Sequence, residues 1–129
     1  MLSNWDDTIV ALATPPGVGA IGVIRLSGPE AFKIINGLFP SKDLSSQPSH
    51  TLHVGFLKEA DKDIDEVVVS LYKNPRSYTG EDVVELSCHG SAYVQQQVFV
   101  NQLFGLGALS AAGRAKQYDV EHWWSVIQD

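Results

Sequence analysis

Asn74-Pro75-Arg76-Ser77-Tyr78-Thr79-Gly80-Glu81-Asp82-Val83-Val84-Glu85-Leu86-Ser87-Cys88-His89-Gly90 is the stretch on which the reading of this chain turns. It opens as a hydroxyl-rich loop of turn formers and runs into an alternating segment, Asp82 to Leu86, with the pattern of a β-strand. Val83 is read as lying on the strand face opposite Glu85. A carboxylate inside such a strand is costly to bury unless a polar or cationic group meets it, so Glu85 is a candidate ligand-binding group. The bland alternative is an edge-strand carboxylate in water. Just upstream, Ile64 to Tyr72 is a long apolar strand and Thr51 to Lys58 alternates. The charged segment Glu59 to Asp63 between them predicts a hairpin.

The N-terminal third supplies two more strands. Thr8 to Ala13 reads as buried, ended by Pro15-Pro16-Gly17, and Ala20 to Leu26 is a second apolar run carrying Arg25 near its end. Ser27 is placed to cap a helix opened by Gly28 and Pro29, with Phe32, Ile34, Ile35 and Leu38 as its apolar stripe and Phe39-Pro40 as its stop. Ser41 to Ser49 reads as a solvent loop, and Ser91 to Leu106 as a second helix. The expected fold class is α+β: a mixed sheet of roughly five strands with two or three helices packed on one face.

Residues 1–129 form one domain by size, and 44% hydrophobic content is enough for a globular core. No apolar run reaches the length of a membrane span and no signal-peptide layout opens the chain. The single cysteine, Cys88, excludes an internal disulfide and suits a reducing cytoplasm. A formal charge of −6 makes a weak autonomous partner for a polyanion, since nucleic-acid affinity comes largely from neutralised phosphates.

Several segments invite a chemical reading. Thr14 to Ala20 is glycine-rich but has no Lys after its glycines, so it reads as a rigid turn rather than a phosphate loop, and no GTP hydrolysis is expected. Arg25 stands in an otherwise apolar strand, where an unpaired guanidinium is expensive; its planar fork suits a carboxylate or a polar heterocycle. Residue type alone favours an Arg that reaches water or pairs with Glu30. Ser77-Tyr78-Thr79-Gly80 is by itself a structured turn. Cys88 and His89 are neighbours on a strand and point to opposite faces, so adjacency does not make them a nucleophile–base pair. No catalytic residue and no metal site is expected, because no Cys-x-x-Cys or convergent ligand set is visible.

The run Asp7-Thr8-Ile9-Val10-Ala11-Leu12-Ala13-Thr14-Pro15-Pro16-Gly17-Val18-Gly19-Ala20-Ile21-Gly22-Val23-Ile24-Arg25-Leu26-Ser27-Gly28 adds a second signature. Together with Pro75 to Gly90 it resembles the N-terminal domain of the MnmE (TrmE) family of tRNA-modification GTPases, from Asp7 to about Gln97. The resemblance implies a folate-binding-domain-like fold, homodimerisation and a bound 5-formyltetrahydrofolate or another tetrahydrofolate one-carbon derivative. Arg25, Glu85 and Lys116 match the family's folate contacts, and Tyr78 and Thr79 fall where they could cover the ring and bond to it. It further implies a cytoplasmic parent protein that modifies the wobble uridine of tRNA with an MnmG (GidA)-like flavoprotein. The parent's GTPase domain is absent from this chain. A self-association module without folate binding is the rival reading, supported by the apolar Val67-Val68-Val69 run.

Residues 107–129 depart from the family pattern. A shortened alignment sets Lys116 on the family's Lys, but the Glu-Phe-Thr block before it has no counterpart. The expectation is therefore a displaced segment, with Lys116 away from the folate.

Overall fold

A computed structural model describes residues 8–15, 18–98 and 109–110. The order along the chain is β1 (Ile9–Leu12), β2 (Ile21–Ser27), α1 (Ala31–Asn36), β3 (Thr51–Glu59), β4 (Lys62–Tyr72), β5 (Val83–His89), α2 (Ala92–Gln96) and β6 (Leu109–Ser110). The strands form one sheet in the order β3-β4-β5-β2-β1-β6. Five strands are mutually antiparallel, and the two-residue β6 runs parallel to β1. The sheet is thus mixed, and the α+β expectation stands in that form.

β3 and β4 form the expected hairpin. It turns at Ala60 and Asp61, and Ala60 takes a positive φ of 53°. Lys58 and Asp63 meet across it at 3.3 Å. The register then fixes which side chains share a face. One inward row runs Val10–Leu26–Val84–Leu71, and the next runs Leu12–Ile24–Leu86–Val69–His53. Ala31, Phe32, Ile34 and Ile35 of α1 join this layer in a single buried cluster, together with Leu38, Phe39 and Leu44. α2 approaches the same face, where a Cβ on Gly22 of β2 would come within 3.1 Å of Gln95. At Gly55 a Cβ would meet the Phe39 ring at 2.7 Å, so the core leaves no room for a side chain on β3 there. Both described helices therefore lie on one face, and the other face carries no described helix.

Three expectations change. Val83 shares its face with Glu85, because residues two apart on a strand point the same way; Val84 and Leu86 are the ones turned to the core. Ser27 belongs to β2 rather than capping α1. Glu30 is the N-cap and has no side-chain capping bond; its own N–H is accepted by the Thr8 hydroxyl at 2.8 Å. α1 stops at Asn36 with Gly37 behind it, so Leu38 and Phe39 reach the core from the following turn. The loop after it holds a single 3-10 turn, Leu44–Ser46, capped by the Asp43 carboxylate. Of the second expected helix, α2 is described and its first turn is capped by Ser91 Oγ, which accepts from Val94 N at 3.1 Å. Residues 99–106 lie outside the described residues.

Candidate functional site

Arg25 and Glu85 are direct cross-strand neighbours in the antiparallel β2/β5 ladder. Both point to the open face, in a row that runs Ala11–Arg25–Glu85–Ser70–Leu52. Arg25 Nη2 donates to Glu85 Oε1 at 3.3 Å, with the two side chains 31% and 28% exposed. This is a single, long contact. A tight fork-to-fork pair has two bonds, so the geometry leaves both groups with unused capacity. Arg25 Nε is shielded from water and has no hydrogen-bond partner. A half-buried pair of this kind contributes little to stability, about 0–1 kcal/mol, so folding alone gives weak reason to keep it there. The expected Glu30 partner is engaged elsewhere, with Lys33 at 3.8 Å.

The loop before β5 closes over this pair. The Thr79 hydroxyl meets the Ser27 hydroxyl at 2.7 Å, Gly28 N donates to Asp82 O at 2.9 Å, and Ser77 Oγ bonds to Glu81 O. Asn74 is tied to the Asp82 carboxylate through both its backbone N–H and its side-chain amide, at 2.9 and 3.0 Å. The loop therefore has a defined shape and sits on the end of β2. From it the Tyr78 ring reaches across the Arg25 guanidinium, 5.0 Å from ring centre to Cζ, while remaining 86% exposed. A large aromatic held in water over a cation is a stacking surface with one face free.

The structure thus brings together Arg25, Glu85, Tyr78 and Thr79. Lys116 lies outside the described residues. Sequence reasoning missed Ser27 as the anchor of Thr79, because Ser27-Gly28-Pro29 carries the local signals of a helix start. It also missed Asp65. That residue, on the β4 hairpin arm, accepts from His89 N at 2.9 Å and meets His89 Nδ1 at 2.6 Å. Cys88 points the other way, into the core, where burial and the nearby Asp65 charge push its thiol up to about 12. Its Sγ–H donates to Gly22 O at 3.4 Å, and it is no nucleophile at neutral pH. The β1–β2 turn is locked to the end of β5: Gly19 N donates to Gly90 O at 3.0 Å, and a Cβ on Gly90 would lie 2.3 Å from Gly19 O. Pro16 and Gly17 of that turn lie outside the described residues. Among the described residues no three His, Cys, Asp or Glu gather as a metal site, and no helix is long and apolar enough to cross a membrane.

A family model described as the GTP-binding protein TrmE N-terminus matches residues 8–113. The chain belongs to this family. It is 55% identical over 97 residues to the tRNA modification GTPase MnmE of Cytophaga hutchinsonii, covering 75% of this chain and 21% of that relative. It is 59% identical over 96 residues to the MnmE of Flavobacterium johnsoniae, covering 72% and 21%. With the MnmE of Chlamydia caviae it shares 47% over 93 residues, again 72% and 21%. The chain spans about a fifth of the length of these curated relatives. The TrmE match takes in both signature segments from Thr8 onward, and with them Arg25, Tyr78, Thr79 and Glu85.

Proposed function

We propose that this chain is the folate-binding and dimerising N-terminal module of a cytoplasmic GTPase that modifies the wobble uridine of tRNA. The parent protein acts with an MnmG-like flavoprotein. The ligand is a tetrahydrofolate carrying one carbon, such as 5-formyltetrahydrofolate, held either as a one-carbon donor or as a bound effector. The observation that supports this is the under-used Arg25–Glu85 pair beneath the exposed Tyr78 ring. A pterin presents an amino group and a ring N–H side by side, and a carboxylate accepts both. Glu85 engages Arg25 through one oxygen only, which leaves the other for such a donor. Tyr78 offers a flat surface for the ring, and Arg25 a cation for the carboxylates of the glutamyl tail or a ring acceptor.

Calorimetry of the 129-residue chain with 5-formyltetrahydrofolate tests the reading. Saturable binding that Arg25→Ala abolishes is the expected result; no binding by the wild-type chain sinks it. The chain is also expected not to turn over GTP, since no Lys follows its glycine loop. A phosphate-release assay on the purified chain checks this.

The second reading is a self-association module that binds no folate. Its support is a row of apolar side chains on the edge strand β3: Leu52 is 67%, Val54 63% and Phe56 42% exposed. Dimers of a chain that gives no folate signal would select it.

A further inference from the structure

α1 ends at Asn36-Gly37, the single Asn-Gly step in the chain. Glycine has no Cβ, so the Gly37 nitrogen is open to approach from the Asn36 side chain. Asn74, the other asparagine among the described residues, precedes Pro75, whose nitrogen has no hydrogen to give up. Asn36 is also a joint. Its Nδ2 donates to Asp43 Oδ1 at 2.9 Å and its Oδ1 accepts from Leu44 N at 2.8 Å, so one side chain ties the end of α1 to the 3-10 turn. The tie brackets Leu38, Phe39 and Leu44, which are at most 3% exposed. Asp43 Oδ1 also accepts from Ser45 Oγ and Ser45 N, at 2.5 and 3.0 Å, and these bonds hold its carboxyl below the usual range. Asp43 therefore faces Asn36 as an anion. Gly37 N is engaged as well, donating to Ile34 O at 3.2 Å. Both partners of the Asn-Gly step are thus occupied in the folded protein and are released when the last turn of α1 opens.

We propose that Asn36 is a deamidation site gated by the last turn of α1, and that its product unties the 3-10 turn from the helix. In the opened chain Gly37 N attacks Asn36 Cγ. The Cγ–Nδ2 bond breaks, and the side-chain nitrogen leaves as ammonia with the proton from Gly37 N. Water then opens the cyclic imide at either carbonyl, giving aspartate or isoaspartate at position 36. Nothing is oxidised or reduced, and water is the only co-reactant. The aspartate has no hydrogen to offer Asp43, so two carboxylates meet where an amide had bonded to one, and like charges that close repel. Isoaspartate adds a methylene to the backbone, which the regular helical ladder does not accommodate. The joint lies on the helix side of the sheet, whereas Arg25 and Glu85 face the other side. The modification therefore acts on stability and leaves that pair in place.

The experiment incubates the 129-residue chain at neutral pH in buffer and in denaturing guanidinium chloride, and peptide mapping with isoaspartate detection reads position 36. Conversion should be slower in buffer by about tenfold or more, because a protected site reacts only from its open fraction. Gly37→Ala, at a helical φ of −63° that alanine adopts freely, should slow the reaction in denaturant. Equal rates in the two media overturn the gate, and no conversion in denaturant overturns the site. Asn36→Asp stands for the aspartate product and should melt about 4 °C or more below the wild type. Adding Asp43→Asn should restore much of that loss, since the carboxylate at position 36 then accepts from an amide at position 43. An unchanged melting temperature for Asn36→Asp, or no recovery in the double variant, overturns the untying. Should Asn36→Asp fail to fold, the double variant decides: it folds if carboxylate repulsion is the cause, and its failure overturns the proposal.

Discussion

Val84, Leu86 and Cys88 on one face of β5 are at most 3% exposed, whereas Glu85 and His89, one residue along in each case, look out from the other face. The two sets share one backbone and one pair of hydrogen-bonded ladders, to β4 and β2. They differ only in what lies opposite. Inward side chains join the cluster that holds α1 and its following turn, whereas outward Glu85 meets Arg25 and His89 meets Asp65. The main hydrophobic cluster therefore lies on one face and the Arg25–Glu85 pair on the other. A strand buried on both faces could not have spared the second for polar groups.

Neighbouring substitutions should pull these roles apart. Leu86→Ala, the largest effect, should cost about 2–5 kcal/mol of stability through the cavity it leaves, measured by urea unfolding. Glu85→Gln, one residue away, should weaken 5-formyltetrahydrofolate binding by about 1.5–3 kcal/mol in calorimetry and leave the urea midpoint nearly unmoved. A large stability loss from Glu85→Gln would break the division of labour. On the outer edge, Leu52→Ser should change monomer stability by no more than about 0.5 kcal/mol. Sedimentation of that variant shows whether the exposed β3 row holds copies together.

His53 is a buried polar group on the inner face and gives the smallest effect. It is 8% exposed, with Lys42 Nζ 3.2 Å from Nδ1 and Thr51 Oγ1 2.8 Å from Nε2. Burial, aided by the Lys42 charge, holds its pKa below the usual 6.5. The unfolded chain then takes up the proton first as pH falls. Stability is present above about pH 6.5 and declines as acidification proceeds through the folded value. Unfolding of His53→Gln measured between pH 7 and pH 5 should show a flatter profile. A steeper one would mean that His53 is charged in the folded protein.

Much of this was legible in the sequence. Period-two patterning and turn residues located five strands and the β3–β4 hairpin, because those signals are local. The exposed positions of Tyr78 and Thr79 followed from their loop. What escaped depends on contacts between distant segments. Thr8 serves α1 from the start of β1, a partner that no pattern around Gly28 and Pro29 reveals. The Arg25–Glu85 contact depends on the β2/β5 register, and Glu30, nearer in sequence, was the partner that local reasoning proposed.

The β2–β5 ladder joins residues some sixty positions apart, Arg25 with Glu85, across an intervening chain that holds the β3–β4 hairpin. Closing so long a loop is entropically slow compared with zipping a hairpin. The chain can thus hold much of its secondary structure before Arg25 and Glu85 are brought together. Folate capture during refolding should lag behind the far-ultraviolet signal, and the ligand becomes a clock for the last large step of folding.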